Sequence, residues 1–257
     1  MKPVVRAFFA MLALLLSGCN GMFDEVYDEA LDIVPAEGQI VVDATDWGAW
    51  YYIDLEKLRQ LSLEDDADAL IKAQTEHTPY PIPTVLTGDG DGKSGQYLYW
   101  FDVWGEGIRN NEFREFTPYD AQPEPENWTF AIHRNNVRTN GGAVIETTYT
   151  SMDELPETSE AFRNMTFVED EWSENEVWSS QEQMLLCLVP SQGIEINKVL
   201  SSWLTMDIPP MPPAFHHNNH VFILRLSDGT YAALQLANYL SPTGTKCFLT
   251  INYKYPY

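Results

Sequence analysis

Residues 220–236 read HVFILRLSDGTYAALQL, and this stretch decides the fold class. Two apolar runs, 220–226 and 230–236, stand on either side of Ser227-Asp228-Gly229. An Asp-Gly pair between two such runs favours a tight β-hairpin, because glycine adopts a positive φ without steric cost. We therefore predict two antiparallel strands joined by this turn.

Further strands are predicted on both sides of the hairpin. They are short runs separated by Gly, Pro, Asn and Asp, namely 39–44, 47–55, 96–104, 128–133, 143–150, 165–169 and 245–253. In residues 56–76, by contrast, leucines recur at helical spacing among charged residues, which predicts a helix. Three prolines from Pro79 to Pro83 end that pattern. The sequence thus predicts a mainly antiparallel, all-β single domain over residues 39–257 with a short helical insertion.

The first nineteen residues carry an export signal. A basic start and the apolar run 7–16 precede Leu16-Ser-Gly-Cys19. This order is typical of a secretory signal, and the run is shorter than the ~20 residues that span a bilayer. The ending resembles the bacterial lipobox, which implies removal of residues 1–18 and lipidation of Cys19. An ordinary secretory peptide, in which Cys19 is incidental, is the alternative.

Acidic residues dominate the charge. Residues 19–38 are predicted to form an acidic tether, and the whole chain has a formal net charge of −23. This balance argues against a nucleic-acid partner, because phosphate binding depends on Lys and Arg. It also disfavours adhesion to anionic lipid headgroups. We interpret the acidity as a solubility feature of an exported protein.

The sequence carries no recognisable catalytic motif. A nucleophile elbow, a P-loop, an H-E-x-x-H pair and a dinucleotide fingerprint are all missing, so we predict that the protein is not an enzyme. Residues 87–95 resemble the start of a calcium loop, but Trp100 stands where that loop needs glutamate, and we interpret them as a turn. His216, His217 and His220 could bind a metal or face solvent.

Two cysteines and one histidine lie in apolar runs. Cys187 and Cys247 could pair in an oxidising compartment, but we favour two separately buried thiols. His133 ends the alternating run 128–133, a setting that favours a hydrogen-bonded strand residue over a ligand.

Residues 128–142, WTFAIHRNNVRTNGG, resemble the hallmark segment of the HmuY family, haem-binding lipoproteins of the Bacteroidetes. The resemblance extends over roughly residues 40–256 and includes 42–55, Trp203-Leu204, 221–231 and 244–256. It implies an all-β fold that holds haem near its surface between two axial ligands. It also implies display on the outer membrane facing outward, a haemophore-like role in haem and iron acquisition, and host haemoproteins and an outer-membrane haem receptor as partners.

The resemblance implies methionine ligands in this chain. The best-known family member uses two histidines, one well before the Trp-Leu pair and one just after it, but no histidine lies between His133 and His216 here. Relatives that resemble methionine-for-histidine variants direct attention to Met184 and Met211. Four prolines stiffen the loop around Met211, and a neutral thioether suits ferrous haem iron. We therefore predict Met184 and Met211 as the axial pair.

Other ligand assignments stay open. Met206 is the substitute for Met211, followed by His216 or His217. Either predicted ligand could instead be a core methionine, which is the role that we expect for Met152 and Met165.

Two other functions also stay open. One is a surface adhesion or glycan-binding module, in which exposed aromatic residues such as Trp100, Trp104 and Trp178 stack on sugars. The other is a fold of the same shape whose diverged loops bind a different porphyrin-like or apolar ligand.

Overall fold

The structure is a computed structural model that describes residues 34–82, 96–97, 122–173, 177–178, 181, 191–192, 194–207 and 212–257, with backbone alone for 96–97 and 191–192. The described residues from Pro35 to Tyr257 belong to one compact unit. The predicted cleavage site, Cys19 and most of the tether lie outside the described residues. Within the described residues, no helix has the length and apolar character that a membrane crossing requires.

Short strands make up most of this unit. They are β1 (Gln39–Asp43), β2 (Ala49–Ile53), β3 (Pro79–Pro81), β4 (Gln96–Tyr97), β5 (Phe130–His133), β6 (Asn136–Thr139), β7 (Ala143–Glu146), β8 (Val168–Glu169), β9 (Glu171–Ser173), β10 (Ser191–Gln192), β11 (Ile194–Ile196), β12 (Leu204–Asp207), β13 (Ala214–His217), β14 (Phe222–Arg225), β15 (Tyr231–Leu240) and β16 (Lys246–Lys254). The helices are α1 (Leu55–Leu63), α2 (Ala67–Thr75) and α3 (Lys198–Ser201), with 3₁₀ turns at Met152–Glu154 and Ser159–Phe162.

The predicted hairpin is confirmed in β14 and β15. Phe222 lies opposite Leu234, and the two strands run antiparallel. Gly229 has a φ of 87°, and the backbone N–H of Thr230 donates to Asp228 Oδ1 at 2.8 Å. The Asp-Gly pair therefore forms the turn for the reason that the sequence suggested.

Two antiparallel sheets dominate the fold. The larger has the strand order β1-β16-β15-β14-β7-β8, and the smaller has the order β3-β2-β5-β6. Three two-stranded pairs, β4 with β10, β9 with β11 and β12 with β13, accompany them. The mainly antiparallel all-β fold class that the sequence predicted is confirmed.

Both sheets contribute to one main core. Ile53 and Phe130 of the smaller sheet share a buried cluster with Phe222 and Leu234 of the larger one. Burial of such side chains stabilises the fold by roughly 1.5–3 kcal/mol each. A second cluster around Ile223 covers the other face of β14, so this strand is buried on both sides.

The helical insertion is two helices and not the single one that residues 56–76 suggested. Glu64 caps the C-terminal end of α1, and Asp65 has a φ of 55°. Asp66 Oδ1 then accepts a hydrogen bond from the backbone N–H of Ala69 at 3.0 Å. An aspartate cap of this kind starts a new helix. The insertion therefore turns between two short amphipathic helices.

The sequence was wrong about the interior position of Met165. Only Val168–Glu169 of the predicted strand 165–169 is β-structure, and 48% of the Met165 surface is exposed. The backbone N–H of Met165 donates to the carbonyl of Phe162 at 3.0 Å, which closes a turn. The Phe162 ring fills the second cluster instead, with Met152 half-buried against it.

Cys247 is a buried free thiol in β16, and burial raises its pKa. This agrees with the separately buried thiol that we favoured for this position. Cys187 lies outside the described residues.

Candidate functional site

His133 ends β5 and has only 1% of its surface exposed. Its Nδ1 lies 2.9 Å from the carbonyl oxygen of Ala49, and its Nε2 lies 3.1 Å from that of Trp178. Burial lowers the pKa of His133 to about 4, so the ring is neutral at neutral pH. The predicted hydrogen-bonded strand histidine is confirmed, since both ring nitrogens face backbone oxygens.

Two arginines that follow in the chain stack on tryptophan rings. The guanidinium carbon of Arg134 lies 3.6 Å from the centre of the Trp47 ring, and Nη1 donates to the carbonyl of Thr45 at 2.7 Å. The guanidinium carbon of Arg138 lies 5.1 Å from the centre of the Trp128 ring. Contacts of this kind stabilise by about 0.5–2 kcal/mol. Both arginines therefore contribute to the stability of the fold through these contacts.

Asp170 forms hydrogen bonds with two residues that are distant in sequence, Thr139 and Asn197. Its Oδ2 accepts from the backbone N–H of Thr139 at 2.6 Å, and its Oδ1 accepts from the Thr139 hydroxyl at 2.8 Å and from the Asn197 amide at 3.0 Å. Burial raises the pKa of Asp170, and these hydrogen bonds act in the opposite direction. The carboxyl group thus ties β6 to the residue that begins α3.

Asn197 caps the short helix α3. Its Oδ1 accepts from the backbone N–H of Leu200 at 2.9 Å, and its own N–H donates to the carbonyl of Val137 at 2.8 Å. The hydroxyl of Ser201 accepts from the backbone N–H of Val137 at 2.9 Å. An asparagine cap contributes about 1 kcal/mol. Therefore α3 is fixed against β6, with Lys198 in its first turn.

A cleft of about 330 Å³ opens beside α3, the β5–β6 turn and β12. This volume is at the lower end of the roughly 300–1,000 Å³ of small-molecule sites. The wall combines an indole, a thioether, hydroxyls, amides and one ammonium group. The described lining residues are Asn135, Asn136, Trp178, Lys198, Ser201, Ser202, Thr205 and Met206.

Comparison with known families identifies this chain. The model of the family described as HmuY protein matches residues 46–253, which is most of the sequence. The chain belongs to the HmuY family. A comparison with curated proteins found no match.

Solved structures agree with the HmuY assignment. A Bacteroides fragilis protein named as a lipoprotein is 28% identical, with a TM-score of 0.56 and coverage of 85% of this chain and 89% of its own. A Bacteroides vulgatus protein named as an HmuY-like haem-binding protein is 29% identical, with a TM-score of 0.53 and coverage of 85% and 91%. The apo HmuY analogue of Tannerella forsythia, 18% identical with a TM-score of 0.51 and coverage of 84% and 93%, shares the fold.

The predicted axial ligands of this HmuY-family chain, Met184 and Met211, lie outside the described residues. Both follow cleft residues along the sequence, since Trp178 precedes Met184 and Met206 precedes Met211. Met206 is half-buried in β12, lies opposite Phe215 of β13 and lines the cleft. The axial pair and the substitute both stay predictions.

The three histidines near β13 contact separate groups. Ring nitrogens of His216, His217 and His220 each lie 2.7 Å from an oxygen, which belongs to Asp207, Leu236 and Glu146 respectively. Among the residues that the structure describes, no three His, Cys, Asp or Glu side chains converge as a metal site. His216 and His217 are exposed, and their place as alternative haem ligands stays a prediction.

The described tryptophans include one exposed ring, since 43% of the Trp172 surface is accessible to solvent. Trp178 is half-buried in the cleft wall, which corrects the expectation that it is a free surface ring. Trp100 and Trp104 lie outside the described residues. Trp203 of the Trp-Leu pair is completely buried in the main core and leads directly into β12.

Sequence reasoning missed the residues that position the cleft. Asp170 is 31 residues from Thr139 and 27 from Asn197, so nothing local in the sequence joins the three. An asparagine before Lys198-Val-Leu-Ser201 is a recognisable start signal for a helix, and it could have directed attention to α3.

Proposed function

We propose that this chain is a lipid-anchored haem-binding protein that serves haem and iron acquisition, with no catalytic role. The observation that carries the proposal is the family match over residues 46–253, together with a 29% identical neighbour named as an HmuY-like haem-binding protein. That neighbour covers 85% of this chain, so the likeness extends over the described domain as a whole.

The described cleft suits a flat, largely apolar ligand. Trp178 supplies an aromatic surface and Met206 supplies a thioether, while serine and threonine hydroxyls lie alongside them. Small-molecule sites commonly combine an apolar wall with a few polar groups that fix orientation. These residues therefore fit part of a porphyrin, whose rim is apolar and whose edge carries carboxylates.

Met184 and Met211 are the proposed axial ligands. Each belongs to a segment that continues from a strand or residue at the cleft, namely the segment after Trp178 and the segment after β12. A thioether is neutral and soft, so a pair of them favours ferrous over ferric haem iron.

The proposed location is the outer face of the outer membrane. A 28% identical neighbour is named as a lipoprotein, and Cys19 stands at the end of a lipobox-like signal. Acyl chains at Cys19 would hold the domain at the surface through about 0.8 kcal/mol per buried CH₂. Host haemoproteins would then be the haem donors and an outer-membrane haem receptor the acceptor.

A haem titration tests the proposal. Protein lacking residues 1–19 would be titrated with haem under oxidising and reducing conditions while the Soret band is recorded. We expect a saturable shift, with tighter binding of ferrous haem. The absence of a shift in both states would remove haem binding, and binding on a glycan array would then favour the adhesion alternative.

Single substitutions test the ligands separately. Met184→Ala and Met211→Ala should each weaken ferrous haem binding, because each removes one sulfur from the iron. Met165→Ala is the matched control, since this methionine is exposed and does not line the cleft. If both ligand variants bind haem like the unsubstituted protein, the axial pair is wrong even though haem binding stands.

A further inference from the structure

Lys198 is the only charged residue among the described residues that line the cleft. Hydrogen bonds fix the short helix that carries it, because Asn197 caps α3 and Ser201 binds the same helix to β6. Hydroxyl-bearing residues Ser202 and Thr205 line the cleft beside it. A cation next to neutral hydrogen-bonding groups is a suitable environment for a carboxylate.

Lys198 also forms an ion pair at the protein surface. Its Nζ lies 2.8 Å from Glu171 Oε1, and the two side chains are 47% and 54% exposed. An ion pair this exposed contributes only about 0–1 kcal/mol, because water and salt screen it. A carboxylate that arrives from the cleft can therefore compete with Glu171 for the ammonium group.

The charge of the whole chain creates a need for such a cation. The formal net charge is −23, and haem carries two propionate carboxylates that are ionised at neutral pH. The field of so acidic a protein repels an anionic ligand. A positive group at the place where the propionates lie would offset part of this repulsion.

We propose that Lys198 binds a propionate carboxylate of haem, and that Glu171 releases the lysine when the ligand enters. The inference rests on the proposed function and assigns the orientation of the ligand, with a carboxylate edge directed toward α3. Glu171 thereby becomes a competitor that limits affinity, and its removal improves binding.

Two ligands with the same macrocycle separate this contact from iron ligation. Haem and haem dimethyl ester carry the same iron, but the ester has no ionised carboxylate. Dissociation constants for both would be measured by Soret titration with protein lacking residues 1–19. Lys198→Gln should weaken haem about three- to tenfold, as expected for loss of a half-exposed charge-assisted contact. The same substitution should leave the ester unchanged.

Three further variants sharpen the test. Lys198→Arg keeps the charge and should restore most of the haem affinity. Glu171→Gln should tighten haem about two- to threefold, because the competing carboxylate is gone. Lys72→Gln is the matched control. Lys72 of α2 forms an exposed ion pair at 3.4 Å with Glu76, the residue that caps this helix, and neither residue belongs to the described lining of the cleft.

The outcomes distinguish the role of Lys198 from haem binding itself. Selective loss of haem affinity in Lys198→Gln, with rescue by arginine, supports the inference. An equal effect on both ligands, or none on either, overturns the role of Lys198 while haem binding itself stands. If the unsubstituted protein gives no Soret shift with haem, the proposed function fails and the inference fails with it.

Discussion

The buried ring of His133 supports the backbone at Trp178, whose carbonyl oxygen lies 3.1 Å from Nε2. The other ring nitrogen faces the carbonyl of Ala49 in β2. One imidazole therefore connects the smaller sheet to a residue in the cleft wall. A neutral ring has a single N–H group, so it donates to one carbonyl and only contacts the other.

Replacement of His133 by alanine should lower the free energy of unfolding by about 2–4 kcal/mol, because it leaves a cavity and removes the donor of one buried hydrogen bond to a carbonyl group. Urea unfolding followed by tryptophan fluorescence measures this change. His220→Ala is the control, since that ring is half-exposed beside Glu146 and should cost less than about 1 kcal/mol. Equal losses in the two variants would contradict the structural role of His133.

Stability should rise with pH between about 4 and 6.5. The pKa of His133 is about 4 in the folded protein, below its ordinary value of 6.5, because of burial. Between these two pH values, His133 binds a proton in the unfolded chain but not in the folded one. Its contribution to the free energy of unfolding is therefore fully present above pH 6.5 and decreases as the pH falls to 4. The shift corresponds to a loss on the order of 3 kcal/mol.

Urea unfolding across that pH range, in parallel for the unsubstituted protein and His133→Gln, isolates this contribution. Burial also lowers the pKa of His77, which acts in the same direction in both proteins. The glutamine variant should therefore show the shallower pH dependence. Identical slopes would mean that His133 titrates normally.

Asp170→Asn should destabilise the fold by about 1–3 kcal/mol. The carboxylate accepts three hydrogen bonds from Thr139 and Asn197, and an amide can accept through only one of its two ends. The free energy of unfolding from urea titration measures the cost. Glu169→Gln, at an exposed neighbouring position, should change it by less than about 0.5 kcal/mol. A similar effect in both variants would show that the network is not important.

Met206→Ala distinguishes a cleft residue from an iron ligand. Met206 lines the cleft, so its loss should weaken haem binding modestly through lost contact area while the absorption spectrum of the ferrous complex stays the same. Met211→Ala should change that spectrum, because a ligand atom is removed from the iron. The reverse pattern would transfer the ligand role to Met206.

Local signals account for the part of the fold that the sequence predicted. The Asp228-Gly229 turn lies between two apolar runs and needs no distant contact to be recognised. The break between α1 and α2 was equally local, since Asp66 is a helix cap, but the leucine spacing suggested one continuous helix. No local signal marked the end of β15. The strand pairs with β16 as far as Leu240, which is beyond the predicted end at residue 236.

The candidate site depends on contacts between distant residues, which a single sequence does not reveal. His133 was recognisable as a strand residue, but its contact with Trp178 spans 45 positions. Lys198 reaches the cleft because Asp170, Asn197 and Val137 bring α3 against β6. Family resemblance, and not spacing, directed attention to the methionines.

The edge strand β1 is the first described strand after the predicted anchor. All five of its residues pair with β16, and the Gly38 carbonyl accepts one more hydrogen bond from the backbone N–H of Tyr253 at 2.7 Å. Tension transmitted from a membrane would reach the folded unit at this ladder first. With the predicted anchor at Cys19, release of an intact domain would require a proteolytic cut ahead of Gly38, because a cut between β1 and β2 would break the covalent link that keeps Ile40 and Val42 in the core.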